Sequence, residues 1–270
     1  MKILISSILL CSLLLTSCGG ASQSSSLSSE TKQPASKTIA KKSVSLTVSA
    51  GAGMKDAIED VSKLYQQQQP KTKLTLNFGS SGSLQRQIEQ GAPVDVFISA
   101  ASKQMNTLEN QELLVENTRK NLLKNQVVLI VPANDDRTIG FQSLKSDRIK
   151  RIAIGEPKSV PVGKYAQETL DSLQLSQQLK QKIVFAKDVR QVLSYVATGN
   201  ADAGVVYATD AKKSARVKVV AVASENLHSP VVFPVSVIKS KHSDAGKEFV
   251  SFLSSQPAKD IFNKYGFITY

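Results

Sequence analysis

The stretch that most constrains this chain runs from residue 72 to residue 91. Leu74-Thr75-Leu76-Asn77-Phe78 alternates apolar and polar side chains, as a half-buried strand does. Leu84 and Ile88, set in a Gln-rich run, read as the start of an amphipathic helix. Between them stands Gly79-Ser80-Ser81-Gly82-Ser83. A strand that turns through small residues into a helix aims several backbone N–H groups and hydroxyls at one point. The helix dipole adds partial positive charge there, so the turn is a natural anion cradle. The Lys-Ser or Lys-Thr ending of a nucleotide-binding loop is missing, so the anion need not be a nucleotide. The same five residues would also serve as a plain flexible turn, with Ser81 capping a helix that starts near residue 83.

The first 42 residues point to a compartment. Met1-Lys2 is a short basic start, and Ile3 to Leu15 is nearly all apolar. Leu15-Thr16-Ser17-Cys18 then has the form of a bacterial lipobox, which predicts a signal over 1–17 and a lipidated Cys18. Residues 18–42 are rich in Ser, Ala, Lys and Thr and carry no aromatic residue, the composition of an unfolded tether. Such a coil typically spans roughly 25–30 Å. The expectation is an extracytoplasmic protein held at the cell membrane by lipid alone, on the periplasmic side if an outer membrane exists. Cys11 and Cys18 are the two cysteines of the chain, so no disulfide is expected in the mature protein.

The formal charge is +12, of which residues 1–42 carry +4 and the remainder +8. No basic-aromatic stripe accompanies it, so nucleic acid is not expected as a partner. A positive field attracts anions and acidic lipid head groups.

The body reads as alternating strands and helices. Strands are expected at 44–50, 72–78, 94–100, 126–132, 151–155, 203–207, 217–223 and 231–239. Helices are expected at 52–67, 83–91, 101–111, 165–173, 189–198, 244–254 and 257–265. That order predicts an α/β fold with mostly parallel sheets. The length predicts two lobes.

Enzyme signatures are thin. The two histidines, His228 and His242, fall in surface-like segments, and no Gly-x-Ser-x-Gly occurs. No Cys/His cluster has metal-ligand spacing. Ala50-Gly51-Ala52-Gly53 only partly echoes a dinucleotide-binding turn. Asp95, on a buried-looking strand, suits a structural hydrogen-bonding role as well as a chemical one. What remains is a set of polar loops, 49–55, 79–83, 156–164 and 207–210, at the C-terminal ends of strands, where open α/β sheets bind ligands. None is dominated by Arg or Lys, which suggests an ionised anion held by neutral donors and helix dipoles.

Several stretches resemble the periplasmic molybdate-binding proteins of ABC transporters. They are GSSGSLQRQIEQGAPVDVFISA (79–100), TRKNLLKNQVVLIVP (118–132), GEPKSVPVGKYAQETL (155–170), KDVRQVLSYVATGNADAGVVYATDA (187–211) and IFNKYGF (261–267). The resemblance implies a two-lobed type II binding-protein fold, with the ligand in the interlobe cleft. Lobe 1 would comprise 43–122 and 236–270, and lobe 2 would comprise 123–235. It implies a monomer without enzyme activity or cofactor that delivers molybdate or tungstate to a membrane permease, molybdenum entering only as the oxyanion. Ser81 would match a serine donor, Tyr207 a phenol donor, and Val162 and Val189 backbone N–H donors. Gly53 stands where the family places a serine ligand, so its N–H remains but a hydroxyl is lost. Without the resemblance, Tyr207 reads equally as a core tyrosine, and Val162 and Val189 as ordinary apolar positions. Arg190 and Lys164 would touch the site, or equally well sit behind it or lie on the surface.

A sulfate or phosphate receptor of the same fold is the nearest alternative. Hydrogen phosphate would favour a site with an acceptor carboxylate, and Asp56 lies close to the first loop. A tethered surface hydrolase and a structural lipoprotein are further readings.

Overall fold

The computed structural model describes residues 43–270. The signal, the lipobox at Cys18 and the tether lie outside the described residues. Two sheets, each flanked by helices, make up the body.

The first sheet contains β1 (Val44–Gly51), β2 (Thr72–Gly79), β3 (Val96–Ile98), β4 (Lys120–Lys124), β10 (Val232–Val237) and β11 (Ile268–Thr269). Their spatial order is β11-β4-β10-β3-β1-β2. The second contains β5 (Val127–Pro132), β6 (Ile152–Gly155), β7 (Ile183–Ala186), β8 (Ala203–Tyr207) and β9 (Val217–Val222), ordered β7-β6-β8-β5-β9. The chain crosses from one sheet to the other through Asn125-Gln126 and returns between Val222 and Val232.

The expectation of mostly parallel sheets is corrected to mixed ones. β1 runs parallel to β2 and β3, and β6 runs parallel to β7 and β8. β10 is antiparallel to β3 and β4, β11 to β4, and β5 to β8 and β9. The cause is the crossing. Strands β1, β2, β3, β6, β7 and β8 run toward the cleft and end there. A strand that enters from the other sheet begins at the cleft and must run away from it. β5 and β10 are those two strands.

Local sequence explains most elements. In α1 (Lys55–Gln68), Ala57, Ile58, Val61 and Tyr65 recur at helical spacing and are buried. β5, Val-Val-Leu-Ile-Val-Pro, is buried along nearly its whole length because neighbours flank it on both edges. α4 (Pro161–Ser172) begins earlier than apolar spacing suggests, since proline fits the first helical position and its missing N–H costs nothing there. α9 (Gln256–Lys264) ends on Gly266, whose φ of 84° closes the helix. Gly266 N–H donates to Asn263 and Phe267 N–H to Phe262. Phe267 is thereby turned onto Phe233, with ring centroids 5.9 Å apart, and Phe233 packs 5.0 Å from Tyr207. An aromatic file thus links the C-terminal segment to the cleft. β4, β7, β11 and the short α5 (Ser176–Leu179) are not signalled by periodicity, because each is too short or too charged to show one.

Asp95 is structural. It accepts hydrogen bonds from the Thr47 N–H at 2.7 Å and the Ser240 hydroxyl at 2.7 Å, tying β1 to the segment after β10.

Helix α4 sits close against β6. A Cβ on Gly163 would lie 2.0 Å from the Gly155 carbonyl oxygen. Gly163→Ala must therefore push the start of α4 away from β6. We expect a loss of about 1–3 kcal/mol or more in thermal or denaturant unfolding. A variant as stable as the parent would show that α4 yields freely.

Candidate anion site in the interlobe cleft

Parallel strands running toward the cleft bring strand-to-helix turns to one place. A 3-10 turn at Ala52–Met54 follows β1, and α2 (Ser81–Glu89) follows β2. α4 follows β6, and α6 (Val189–Ala197) follows β7. The N-termini of all four line one cavity, together with Tyr207 at the end of β8. Each contributes first-turn N–H groups that have no carbonyl partner within the helix, and partial positive charge.

The cavity measures about 20 Å³. A water needs roughly 10–15 Å³ on this measure, so the space suits one small polyatomic ion and excludes a nucleotide or peptide. All five residues singled out from sequence, Gly53, Ser81, Val162, Val189 and Tyr207, line it. Among the described lining residues there is no Lys or Arg.

The serine turn resolves differently from one of its readings. Ser80, not Ser81, caps α2, accepting the Ser83 N–H at 3.2 Å. Ser81 is fully buried at the first helical position and its hydroxyl accepts the Ala100 N–H at 2.9 Å. That bond uses a lone pair and leaves the hydroxyl proton for a ligand. Gly82 N–H donates to the Ser159 carbonyl at 2.9 Å, crossing the cleft. A Cβ on Gly82 would lie 2.7 Å from that oxygen, so the glycine permits the close approach.

Tyr207 is buried and its hydroxyl donates to the Ala100 carbonyl at 3.0 Å, a second contact across the cleft. Burial pushes its phenol well above the usual range, and the nearby Tyr165 and Asp210 add to the effect. It is a proton donor throughout the neutral range. Asp188 lines the cavity but its carboxylate caps α6, accepting the Gln191 N–H at 2.9 Å.

Gly53 has an ordinary φ, so no backbone strain demands a glycine. A Cβ there would lie 3.0 and 3.2 Å from the two Asp210 carboxylate oxygens and 3.3 Å from Val189 Cγ1. Asp210 is fully buried, and neither oxygen has a hydrogen-bond partner. Burial raises its pKa against the opposing charges of Lys213 and Arg190. Asp56 does not line the cavity. It pairs with Arg190 at 2.6 Å and Lys213 at 3.1 Å. Lys164 also stands outside, paired with Glu168 and donating to Ser229 at 2.8 Å.

Sequence reasoning missed Ala100 and Phe233, both lining residues. Ala100 was discoverable, because it follows β3 at the same cleft-facing end as the other turns. Phe233 was not, because it lies at the start of an antiparallel strand that arrives from the other lobe.

Comparison with known proteins bears on this geometry. The family model for bacterial extracellular solute-binding proteins matches residues 46–268. The chain is 44% identical over 234 residues to YvgL of Bacillus subtilis, named as a candidate substrate-binding lipoprotein of an ABC transporter, covering 86% of this chain and 89% of the relative. It is 39% identical over 229 residues to the molybdate-binding protein ModA of Haemophilus influenzae, covering 83% and 90%. The periplasmic molybdate-binding protein of Azotobacter vinelandii superposes with a TM-score of 0.75 at 25% identity, covering 83% of this chain and 99% of that one. These relatives are named as binding proteins, and the solved one shares this chain's fold. The chain belongs to the bacterial extracellular solute-binding proteins.

Proposed function

We propose that this protein is a lipid-anchored receptor that captures molybdate or tungstate in the interlobe cleft and delivers it to an ABC permease. The observation that carries the reading is a small cavity ringed by helix N-termini and hydroxyls, with no cationic side chain in its described lining. A fully ionised tetrahedral anion needs donors only. The Ser81 hydroxyl proton and the first-turn N–H groups of Gly53, Ser81, Val162 and Val189 would supply them. Tyr207 would turn its proton from the Ala100 carbonyl to the anion. Hydrogen phosphate would need an acceptor in the cavity wall; Asp56 is paired with Arg190 and Lys213 outside it, Asp188 caps a helix, and Asp210, whose oxygens lack hydrogen-bond partners, lies behind Gly53 and does not line the cavity. The lobes hinge at the two crossings. Lobe 1 is then 43–122 with 236–270 and lobe 2 is 123–235, give or take the few residues by which the crossing strands extend.

A thermal-shift and calorimetry panel of molybdate, tungstate, sulfate and phosphate tests the ligand. Molybdate and tungstate should stabilise strongly. Sulfate is a smaller dianion, so donors set around a larger tetrahedron cannot all reach it, and its shift should be small. Ser81→Ala and Tyr207→Phe should each weaken molybdate binding about ten- to a hundredfold, the effect of removing a hydrogen bond to a charged group, roughly 1.5–3 kcal/mol. Sulfate binding as tight as molybdate, or wild-type affinity in both variants, would refute the assignment.

The Gly53 position offers a separate check. Gly53→Ala crowds Asp210 and Val189 and should lower affinity severalfold. Gly53→Ser adds a hydroxyl that can donate to Asp210 or to the anion, so it should recover part or all of that loss. Serine and alanine variants of equal affinity would show that no acceptor faces this position.

Anchoring is read from the mature N-terminus. Mass spectrometry should find diacylglycerol on Cys18, and Cys18→Ser should release the protein from membranes. Cleavage at another residue would leave the protein without its anchor.

A further inference from the structure

Behind the cavity wall formed by the 51–56 turn, four charged side chains meet. Arg190, on α6, donates from Nε to the Ala52 carbonyl at 2.8 Å and from Nη2 to Asp56 Oδ2 at 2.6 Å. Lys213, two residues beyond α7 (Ala208–Ala211), donates to the Gly53 carbonyl at 2.6 Å. It also lies 3.1 Å from Asp56 Oδ2 and 3.5 Å from Asp210 Oδ1. Both cations are borne by elements of the second sheet's lobe. Ala52, Gly53 and Asp56 belong to the first. Neither cation lines the cavity, yet both grip the backbone of a residue that does.

Peptide geometry gives this grip a consequence. In a trans peptide the carbonyl and the following N–H point in opposite directions in one plane. The Ala52 carbonyl and the Gly53 N–H share such a plane. Holding that carbonyl from outside with a guanidinium orients the Gly53 N–H away from Arg190 and polarises it. Lys213 fixes the next peptide in the same way.

We propose that Arg190 and Lys213 are positioning residues for anion capture: each reaches across the cleft to a backbone carbonyl, Arg190 aiming the Gly53 N–H and Lys213 the Met54 N–H toward the cavity, and together they latch the lobes around the anion. This rests on the reading of the cavity as an anion site. It accounts for a site that lacks a hydroxyl at residue 53 and still presents a fixed donor there. An exposed ion pair alone contributes little, but here charged donors hold carbonyls in a fixed geometry, and Lys213 is only 18% exposed. Asp56 anchors both cations on the first lobe. Burial alone would raise its pKa, but the Arg190 hydrogen bond and the Lys213 charge outweigh burial and hold its carboxyl at about 2. Asp56 is therefore ionised throughout the physiological pH range. Asp210, fully buried, lies 3.5 Å from the Lys213 ammonium on its other side.

The test uses the purified protein with molybdate, measuring Kd by calorimetry and dissociation by exchange of isotopically labelled molybdate. Arg190→Gln should speed dissociation ten- to a hundredfold while association stays within about threefold. Arg190→Lys should recover only part, because a single ammonium cannot hold the carbonyl and Asp56 together. Asp56→Asn spares the carbonyl contacts and should cost less than Arg190→Gln. The unliganded melting midpoint should barely move in any of them. Dissociation at the wild-type rate in Arg190→Gln and Lys213→Met would overturn the latch, as would a fall in unliganded stability with Kd unchanged. A wild-type protein that gives no heat with molybdate would instead remove the anion-site reading on which the latch stands.

Discussion

The structure depends on the convergence of unpaired helix N-termini on one small cavity. Each helix N-terminus carries partial positive charge, up to roughly half an elementary charge for a full α-helix, and donors with no internal partner. Four such turns, at residues 52, 81, 161 and 189, meet around about 20 Å³. Unoccupied, they would repel one another weakly and leave N–H groups needing solvent. A small dianion answers both demands at once. That is why the described wall needs no lysine or arginine. Fixed dipoles also cost less reorganisation than long flexible cations, which would have to be ordered before they could bind.

Glycines make the convergence possible. Gly82 lets α2 approach Ser159 on the opposite lobe, and Gly163 lets α4 lie against Gly155. A side chain at either point would meet backbone rather than a flexible neighbour. The serine-glycine turn therefore serves two ends. Ser80 caps, Ser81 lines the cavity and accepts the Ala100 N–H, and Gly82 lets the lobes touch. Three adjacent residues of similar chemistry hold three separate roles, which no composition rule could apportion.

The lobes meet around the cavity through named polar contacts: Tyr207 to Ala100, Gly82 to Ser159, and Arg190 and Lys213 to the 51–56 turn. A contact that exists only when the lobes meet biases the closed state, and an anion bound by donors from both lobes biases it further. Capture and closure are then one equilibrium. Its balance can be altered from behind the cavity as well as within it.

By itself the sequence determined the alternation of strands and helices, the cleft-facing turns and the five lining residues. Periodicity and turn chemistry are local, and the resemblance located Val162 and Val189, which no local rule would have selected. Only the tertiary structure decided the rest. β5 and β10 are antiparallel because they enter from the opposite lobe, a fact of chain path invisible in Val-Val-Leu-Ile-Val or Val-Phe-Pro-Val. Ser81 is distinguished from Ser80 by a partner, Ala100, 19 residues away. Arg190 reaches a carbonyl 138 residues distant, and Lys213 one 160 residues distant. Local patterns specify which face of an element is apolar. They carry no record of which distant backbone atom a buried hydroxyl or a cation will meet, because that is set by how the two sheets pack.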